Sequence, residues 1–228
     1  MNTIVFRTRP GTPVSSDELL LEWGLSKTGL ATARHSFSET TITQVLENNM
    51  DRRRLLSKYG FARESRHYTV LERDIGTVEA SCLPAGFYPA SGPDECMVDA
   101  YVSMHRMAWG EGSTYSVEMH RHLQTCPGYN RELNPVIITV DGRIAGSCIC
   151  WLDEFNLVGE IESLQIAPDF RKLGFGKALL SEAFIRVRRF ITLKSLVYSA
   201  SVNVPAERLY ASAGFMPVGK ILVYSREA

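Results

Sequence analysis

The chain has 228 residues, enough for one large or two small domains, and its 45% hydrophobic content is that of a globular protein with a proper core. Lysine plus arginine (25) balances aspartate plus glutamate (25), so no net field favours nucleic acid or an anionic membrane surface. The opening MNTIVFRTRPG holds no apolar run of signal-peptide length and no stretch reaches membrane-spanning length. With five cysteines lacking a framework spacing, reduced thiols and a cytoplasmic location are expected.

Taken in order, Ser15-Ser16-Asp17 opens a short amphipathic helix reaching Leu25, and Thr32 to Phe37 is compatible with a strand. Asp51 to Tyr59 predicts a helix whose Arg52, Arg53 and Arg54 form a solvated outer face, and His67 to Leu71 alternates like a strand. Residues 81–94 are broken by Pro84, Gly86, Pro89, Gly92 and Pro93 and read as a linker, with Phe87-Tyr88 as a short strand. Helices are predicted over 94–109 and 116–124, and Asp141-Gly142 between 136–140 and 144–152 is a hairpin signal. A strand over 158–166, a helix over 174–190, a strand over 196–200, a helix over 203–213 and a strand over 218–224 complete the chain. On the long helix Leu179, Ala183 and Val187 recur at helical spacing, with Arg186, Arg188 and Arg189 facing out. The expected fold class is α/β (α+β), a mixed central sheet with helices on both faces.

The stretch from Ile161 to Ala183 carries the clearest chemistry. A strand turns through Pro168-Asp169, crosses Arg171-Lys172-Leu173-Gly174-Phe175-Gly176 and enters a helix. Two glycines let backbone amides approach a ligand, the amides open the positive end of a helix, and Arg171 adds a cation that can fork onto phosphate. The physical reading is a phosphate cradle. Upstream, Glu160 and Glu162 alternate onto one strand face, with Leu164 and Ile166 expected on the same face. They serve either as proton acceptors or as solvated carboxylates near a sheet edge.

Arg-x-x-Gly-x-Gly after an apolar strand, followed by Asn203-Val-Pro-Ala-Glu-Arg-Leu209-Tyr210-Ala-Ser-Ala-Gly214-Phe215, resembles the two signatures of the GNAT superfamily of N-acetyltransferases. The resemblance covers residues 84–228 and implies the GNAT acyl-CoA N-acyltransferase fold, with acetyl-CoA as co-substrate and no metal. It implies that the amides of Arg171, Lys172, Leu173, Gly174, Phe175 and Gly176 hold the pyrophosphate. The backbone at Leu164, Gln165 and Ile166 would run beside the pantetheine arm, the Ile166 amide would lie near the thioester oxygen, and Asn203 would orient the arm. Tyr210 matches the tyrosine that protonates the leaving thiolate, a phenol of pKa about 10 being close enough to a thiol for that exchange. Glu160 stands where family members place a strand glutamate that acts as base, directly or through water, with Glu162 in reserve. The implied reaction is acetyl transfer to a primary amine, on a small molecule or a peptide, by direct attack in a ternary complex. A non-catalytic acyl-CoA-binding regulatory module is the competing reading, and a homodimer is left open.

Asn49, Leu55, Gly60 and Phe61 repeat the spacing of Asn203, Leu209, Gly214 and Phe215. The expectation is a degenerate partial half-domain over 1–80, resembling tandem members such as mycothiol synthase, before a complete domain over 81–228. Residues 1–75 should then run helix, strand, helix, strand as 176–228 do, without a cofactor loop. Cys148 and Cys150 read as small core residues. His120 and His122 point in different directions on their helix, so one of them, or Tyr115, is a candidate for the acceptor wall.

Overall fold

The structure is a computed structural model that describes residues 2–5, 13–35, 40–76, 78 and 83–227. These contain nine strands of a mixed sheet and six α-helices, with helices on both sheet faces. The chain divides into two compact units: Met1–Val70 with Ser199–Asn203 and Val218–Ala228, and Leu71–Tyr198 with Val204–Pro217.

In the first unit β1 (Asn2–Ile4) lies parallel to β2 (Thr41–Leu46), which runs antiparallel to β9 (Met216–Arg226) with Leu46 opposite Ile221. Helices α1 (Val14–His35) and α2 (Met50–Lys58) close over them, and Leu21, Leu55, Leu56, Phe61 and Leu222 form the core. β3 (Ala62–Asp74) follows. The strand expected over 32–37 is not there. Helix α1 continues to His35, because 25–35 is rich in Leu, Ala, Lys and Arg and carries no proline; residues 36 and 37 lie outside the described residues. Nor is Arg52-Arg53-Arg54 a solvated face. Arg52 forks onto Asp17 (Nε to Oδ2 3.0 Å, Nη2 to Oδ1 2.8 Å) with both side chains 12% exposed, and Arg53 donates to Glu47 O and the Tyr224 hydroxyl. Of the three, Arg54 alone is mostly in solvent.

In the second unit the strand order is β8-β7-β6-β5-β4, from β4 (Phe87–Ala90), β5 (Val136–Thr139), β6 (Ile144–Asp153), β7 (Val158–Ile166) and β8 (Lys194–Ala200). Neighbours from β4 to β7 are antiparallel. β7 and β8 are parallel, joined through α5 (Phe175–Val187), as a crossover helix requires. On one sheet face Ile137, Cys148, Cys150, Ile161 and Leu164 pack with Leu179, Ala183, Phe184 and Val187 of α5 and Tyr210 of α6 (Val204–Ser212). The other face is covered by α3 (Val98–Trp109) and α4 (Val117–Gln124), whose N-cap Ser116 accepts from Met119 N. Tyr101 and Met104 pack there against Val136 and Ile138. Arg186, expected to face outwards, is 7% exposed. It bonds Glu182, Ser91 and the carbonyls of Ala90 and Glu132, so its cation ties α5 to the loops beside β4 and β5.

The repeated spacing has a local structural counterpart. At the end of α2, Tyr59 N donates to Leu55 O and Leu56 O, Gly60 takes φ +77°, and Phe61 N returns to Leu56 O at 3.0 Å. At the end of α6, Ala213 N donates to Leu209 O and Tyr210 O, Gly214 takes φ +87°, and Phe215 N returns to Tyr210 O at 3.0 Å. Both are left-handed glycine caps that turn the phenylalanine back onto its own helix. Element order repeats too, α1-β2-α2-β3 matching α5-β8-α6-β9.

The Asp17–Arg52 pair generates a stability expectation. Arg52→Ala leaves a mostly buried carboxylate without its fork and should lower unfolding free energy by ~2 kcal/mol or more. Urea unfolding followed by circular dichroism measures this, and a change under about 0.5 kcal/mol would refute a structural role for the pair.

Candidate active site

Strand β7 is paired along both edges only at its start. Its register with β8 runs from Val158–Lys194 to Ile161–Val197 and goes no further, so 162–166 keep a single partner, β6. Ala167 N donates to Ala145 O (2.9 Å) and Gly146 stands opposite Ile166. The alternation of an antiparallel ladder then turns the peptide groups of Leu164 and Ile166 away from β6, towards the side β8 has left. Gln165 faces β6 with its backbone. A segment of extended polar chain can pair with those outward groups as a further strand would.

The loop after β7 presents donors. Arg171 N is used by Pro168 O, and the first bond of α5 is Ala178 N to Gly174 O. The amides from Lys172 to Lys177 receive no acceptor from the described residues, as expected at a helix start, and they carry the positive end of the helix dipole. Gly174 has φ +85°, and a Cβ built there would meet nothing within 4 Å, so the space above it is open. Gly176 has a different reason to lack a side chain. A Cβ there would stand 2.8 Å from Leu209 Cδ2, so the missing side chain lets α5 pack against α6, while the amide stays with the others at the helix start. Phe175 buries its ring against Phe87, 4.6 Å between centroids, leaving only its amide to the loop. Arg171 donates from Nε to Ile166 O (3.2 Å) and from Nη2 to Ala108 O (2.8 Å), while the side chains of Lys172 and Leu173 are exposed.

A bulge changes which residues share a face. Cys148 is opposite Leu164 but Ile149 is opposite Glu162, with Ser163 (φ +57°) as the extra residue. Glu160, Glu162 and Gln165 therefore lie on the α3–α4 face, and Leu164 lies on the α5 face with Ile161 and Cys148. The expectation of a single face for Glu160, Glu162, Leu164 and Ile166 fails because period two does not survive an inserted residue. Glu162 is exposed and Glu160 half-buried. Tyr210 is on the opposite side from both, 7% exposed and 5.7 Å from the Phe215 ring in a T-shaped contact. Burial, with a smaller effect of the nearby Cys148 thiol, holds its phenol well above the usual tyrosine range rather than near 10. It is neutral at every physiological pH. Asn203 belongs to the first unit, where its amide donates to Ala200 O, and is not among the residues assembled in the second.

The α3–α4 face holds a polar network that sequence reasoning missed. Trp109 Nε1 donates to Gln165 Oε1 (2.7 Å), Gln165 Nε2 to Ser147 Oγ (2.8 Å), and Ser147 Oγ to the Tyr101 hydroxyl (3.1 Å). Beside it His105 stacks on Tyr115 at 3.9 Å, and the Tyr115 hydroxyl bonds His120 Nδ1 at 2.8 Å. Tyr115 and His120 were candidates for the acceptor wall; His120 is fully buried and His122 exposed. A usable signal was present in the aromatic spacing of Tyr101, His105 and Trp109 on one helix. An opening of about 420 Å³ between α3 and α4 is lined by Asp99, Ser103, Arg106 and Glu118 among others, with no residue from the loop after β7.

His120 gives the fold a pH dependence. Desolvation, helped by His105, lowers its pKa from 6.5 to about 4, and Nε2 has no partner among the described residues. Below pH 6.5 the unfolded chain takes up a proton that the native state refuses until about pH 4. Stability contributed by neutral His120 is thus complete above about 6.5 and lost on acidification through that window, at most ~1.4 kcal/mol per pH unit. His105, lowered in the same direction, adds with the same sign. Urea midpoints at pH 7, 6 and 5 should fall for the natural chain and fall less for His120→Gln; parallel lines would defeat the assignment.

Comparison with known proteins agrees with this geometry. The Acetyltransferase (GNAT) family matches residues 96–215. A GCN5-related N-acetyltransferase from Sphaerobacter thermophilus superposes with a TM-score of 0.75 at 19% identity, over 95% of this chain and 69% of the other. A tandem GNAT protein from the clavulanic acid biosynthesis pathway gives 0.71 at 13% identity, over 97% and 71%. A GCN5-related N-acetyltransferase from Kribbella flavida gives 0.63 at 15%, over 92% and 77%. No curated protein matches the sequence. These structural likenesses establish the fold, and no helix of the described residues is long and apolar enough to cross a membrane. With a family match over more than half its length, the chain belongs to the GNAT family, whose members use acetyl-CoA as co-substrate, and is an N-acetyltransferase.

Proposed function

We propose that the chain transfers an acetyl group from acetyl-CoA to a primary amine by direct attack within a ternary complex. The observation that carries this is the alignment, along one continuous stretch, of a strand edge at Leu164 and Ile166 that β8 does not cover with a loop of unpartnered amides opening α5. Acetyl-CoA supplies an activated acyl thioester with a diphosphate at its far end. The amides of Lys172, Leu173, Gly174, Phe175 and Gly176, with Arg171, would hold the diphosphate. The outward peptide groups of Leu164 and Ile166 would align the arm, and the Ile166 amide would polarise the thioester carbonyl.

An arm lying in the plane of β7 separates the two proton-handling sides. Glu160 and Glu162, on the α3–α4 face, would take the proton of the incoming ammonium directly or through water. Tyr210, on the α5 face, would serve the sulfur as the C–S bond breaks and the C–N bond forms. Because its phenol is held above the ordinary range, Tyr210 acts by donating a hydrogen bond that becomes proton transfer only as thiolate charge develops in the same dry setting. Direct transfer is supported by the two cysteines on the strand beside β7: Cys148 and Cys150 are sealed in the core, their mutual hydrogen bond and burial raising the Cys148 thiol. A cytoplasmic location and a small-molecule or peptide acceptor remain part of the reading. We also propose that residues 1–80 are a degenerate half-domain preceding the complete domain at 81–228. Supporting this are the matched caps of α2 and α6, with Leu56 standing where α6 has Tyr210.

Two substitutions test the site. Gly174→Val places a branched side chain in the open space over the loop and should weaken acetyl-CoA binding by at least ~10-fold, equivalent to ~1.4 kcal/mol, in calorimetry. Gly174→Asn tolerates positive φ and serves as the control for backbone strain. Equal affinities for Gly174→Val and the natural chain would remove this loop from the cofactor site. Tyr210→Phe keeps the ring contact with Phe215 and should leave acetyl-CoA binding nearly unchanged while lowering turnover by ~10². Release of free thiol over a panel of amines reads this out. Full activity in Tyr210→Phe would sink the acid assignment, and no release with any amine would favour the non-catalytic binding module.

A further inference from the structure

The last turn of α3 is tied to the end of β7 by two adjacent residues. Ala108 O, a carbonyl without a helical partner, accepts Arg171 Nη2 at 2.8 Å, and the next residue, Trp109, donates to Gln165 at 2.7 Å. The same turn holds the entry to α4. Arg106 Nε donates to Tyr115 O (2.6 Å), and His105 stacks on the Tyr115 ring, which is bonded to His120. Gly110 ends the helix with φ +86° and its amide on Arg106 O. A continuous set of contacts therefore leads from Arg171 through Ala108 and Trp109 to the Tyr115–His120 pair.

A guanidinium has five donors in a planar fork. Arg171 commits Nε and Nη2 to Ile166 O and Ala108 O, and Nη1 has no partner among the described residues. Both carbonyl bonds fix the plane of the group, and the carbonyl end of α3 is the negative end of its dipole, which favours a cation there. The edge that carries Nη1 can meet an anion without either bond breaking.

We infer that Arg171 is a bridge. One edge of its guanidinium holds the C-terminal turn of α3, and the other receives the diphosphate of acetyl-CoA, so filling the cradle stiffens the α3–α4 wall. This rests on the assignment of the loop after β7 as the diphosphate site. Arg171 and Trp109 are then positioning residues for the side of the site where Glu160 and Glu162 lie. Coupling of this kind is reciprocal: what loosens the end of α3 must weaken acetyl-CoA binding, although Trp109 is not part of the proposed diphosphate cradle.

The test is hydrogen exchange of the full chain, read by mass spectrometry on peptides covering residues 106–116, alone and saturated with acetyl-CoA or acetyl-pantetheine, which lacks the diphosphate. Acetyl-CoA should slow exchange of these peptides by about 5-fold or more, and acetyl-pantetheine should not. In Arg171→Ala the peptides should exchange faster without ligand and gain no protection from saturating acetyl-CoA. Trp109→Phe keeps an aromatic ring and removes the donor to Gln165; it should weaken acetyl-CoA binding by about 3-fold or more in calorimetry. Acetyl-CoA that binds without slowing exchange overturns the bridge and leaves the proposed function intact. Protection by acetyl-pantetheine equal to that by acetyl-CoA also overturns it, since the arm alone would be responsible. Undetectable acetyl-CoA binding by the natural chain removes the cofactor site and the bridge together.

Discussion

Backbone peptide groups buried away from water must find partners, and β7 leaves some of its own unmet on one side beyond Ile161. Parallel pairing with β8 stops there, while antiparallel pairing with β6 continues to Ile166. Because β6 holds the strand in place, its other edge is rigid and available. The amide loop follows from the same divergence: a strand that has left its neighbour must turn across the sheet end to reach α5, and the start of that helix brings its own unmet donors. Under the proposed function both sets belong to one elongated ligand.

The bulge at Ser163 is the second constraint. Without it, Gln165 would face α5 and could not join Trp109 to Ser147. With it, carboxylates and the buried amide share the α3–α4 side, while Tyr210 lies on the other. Under the proposed function, that places proton donor and proton acceptor on opposite sides of a planar strand, which suits a reaction in which one bond forms as another breaks.

Much of the framework was legible in the sequence. The limits of β7, the helix beginning at Ser116, the hairpin at Asp141-Gly142 and the order of elements from β4 onwards follow from periodicity and turn chemistry, which act over a few residues, whereas β1 and β2 were not foreseen. What escaped depends on partners distant in sequence. Arg186 sits at the polar end of an amphipathic pattern, yet finds Ala90 and Glu132 carbonyls that no local rule supplies. Arg52 is turned inwards by Asp17, and Gly176 answers to Leu209. Ser163 has no local mark of positive φ, and a single extra residue was enough to reassign Leu164 to the other face. The candidate site was thus readable as a set of residues but not as an arrangement.

The matched caps of α2 and α6 separate two meanings of one pattern. Glycine and phenylalanine close both helices through the same pair of return bonds, yet the residue that receives the phenylalanine amide is a hydrocarbon at Leu56 and a phenol at Tyr210. The glycine–phenylalanine corner is therefore a piece of grammar, reusable wherever a helix must stop and a strand begin. Its vocabulary lies one turn earlier, in the side chain whose carbonyl the corner borrows. A pattern keyed to the corner alone would count this chain twice, and what sets the second occurrence apart is a hydroxyl where the first has only hydrocarbon.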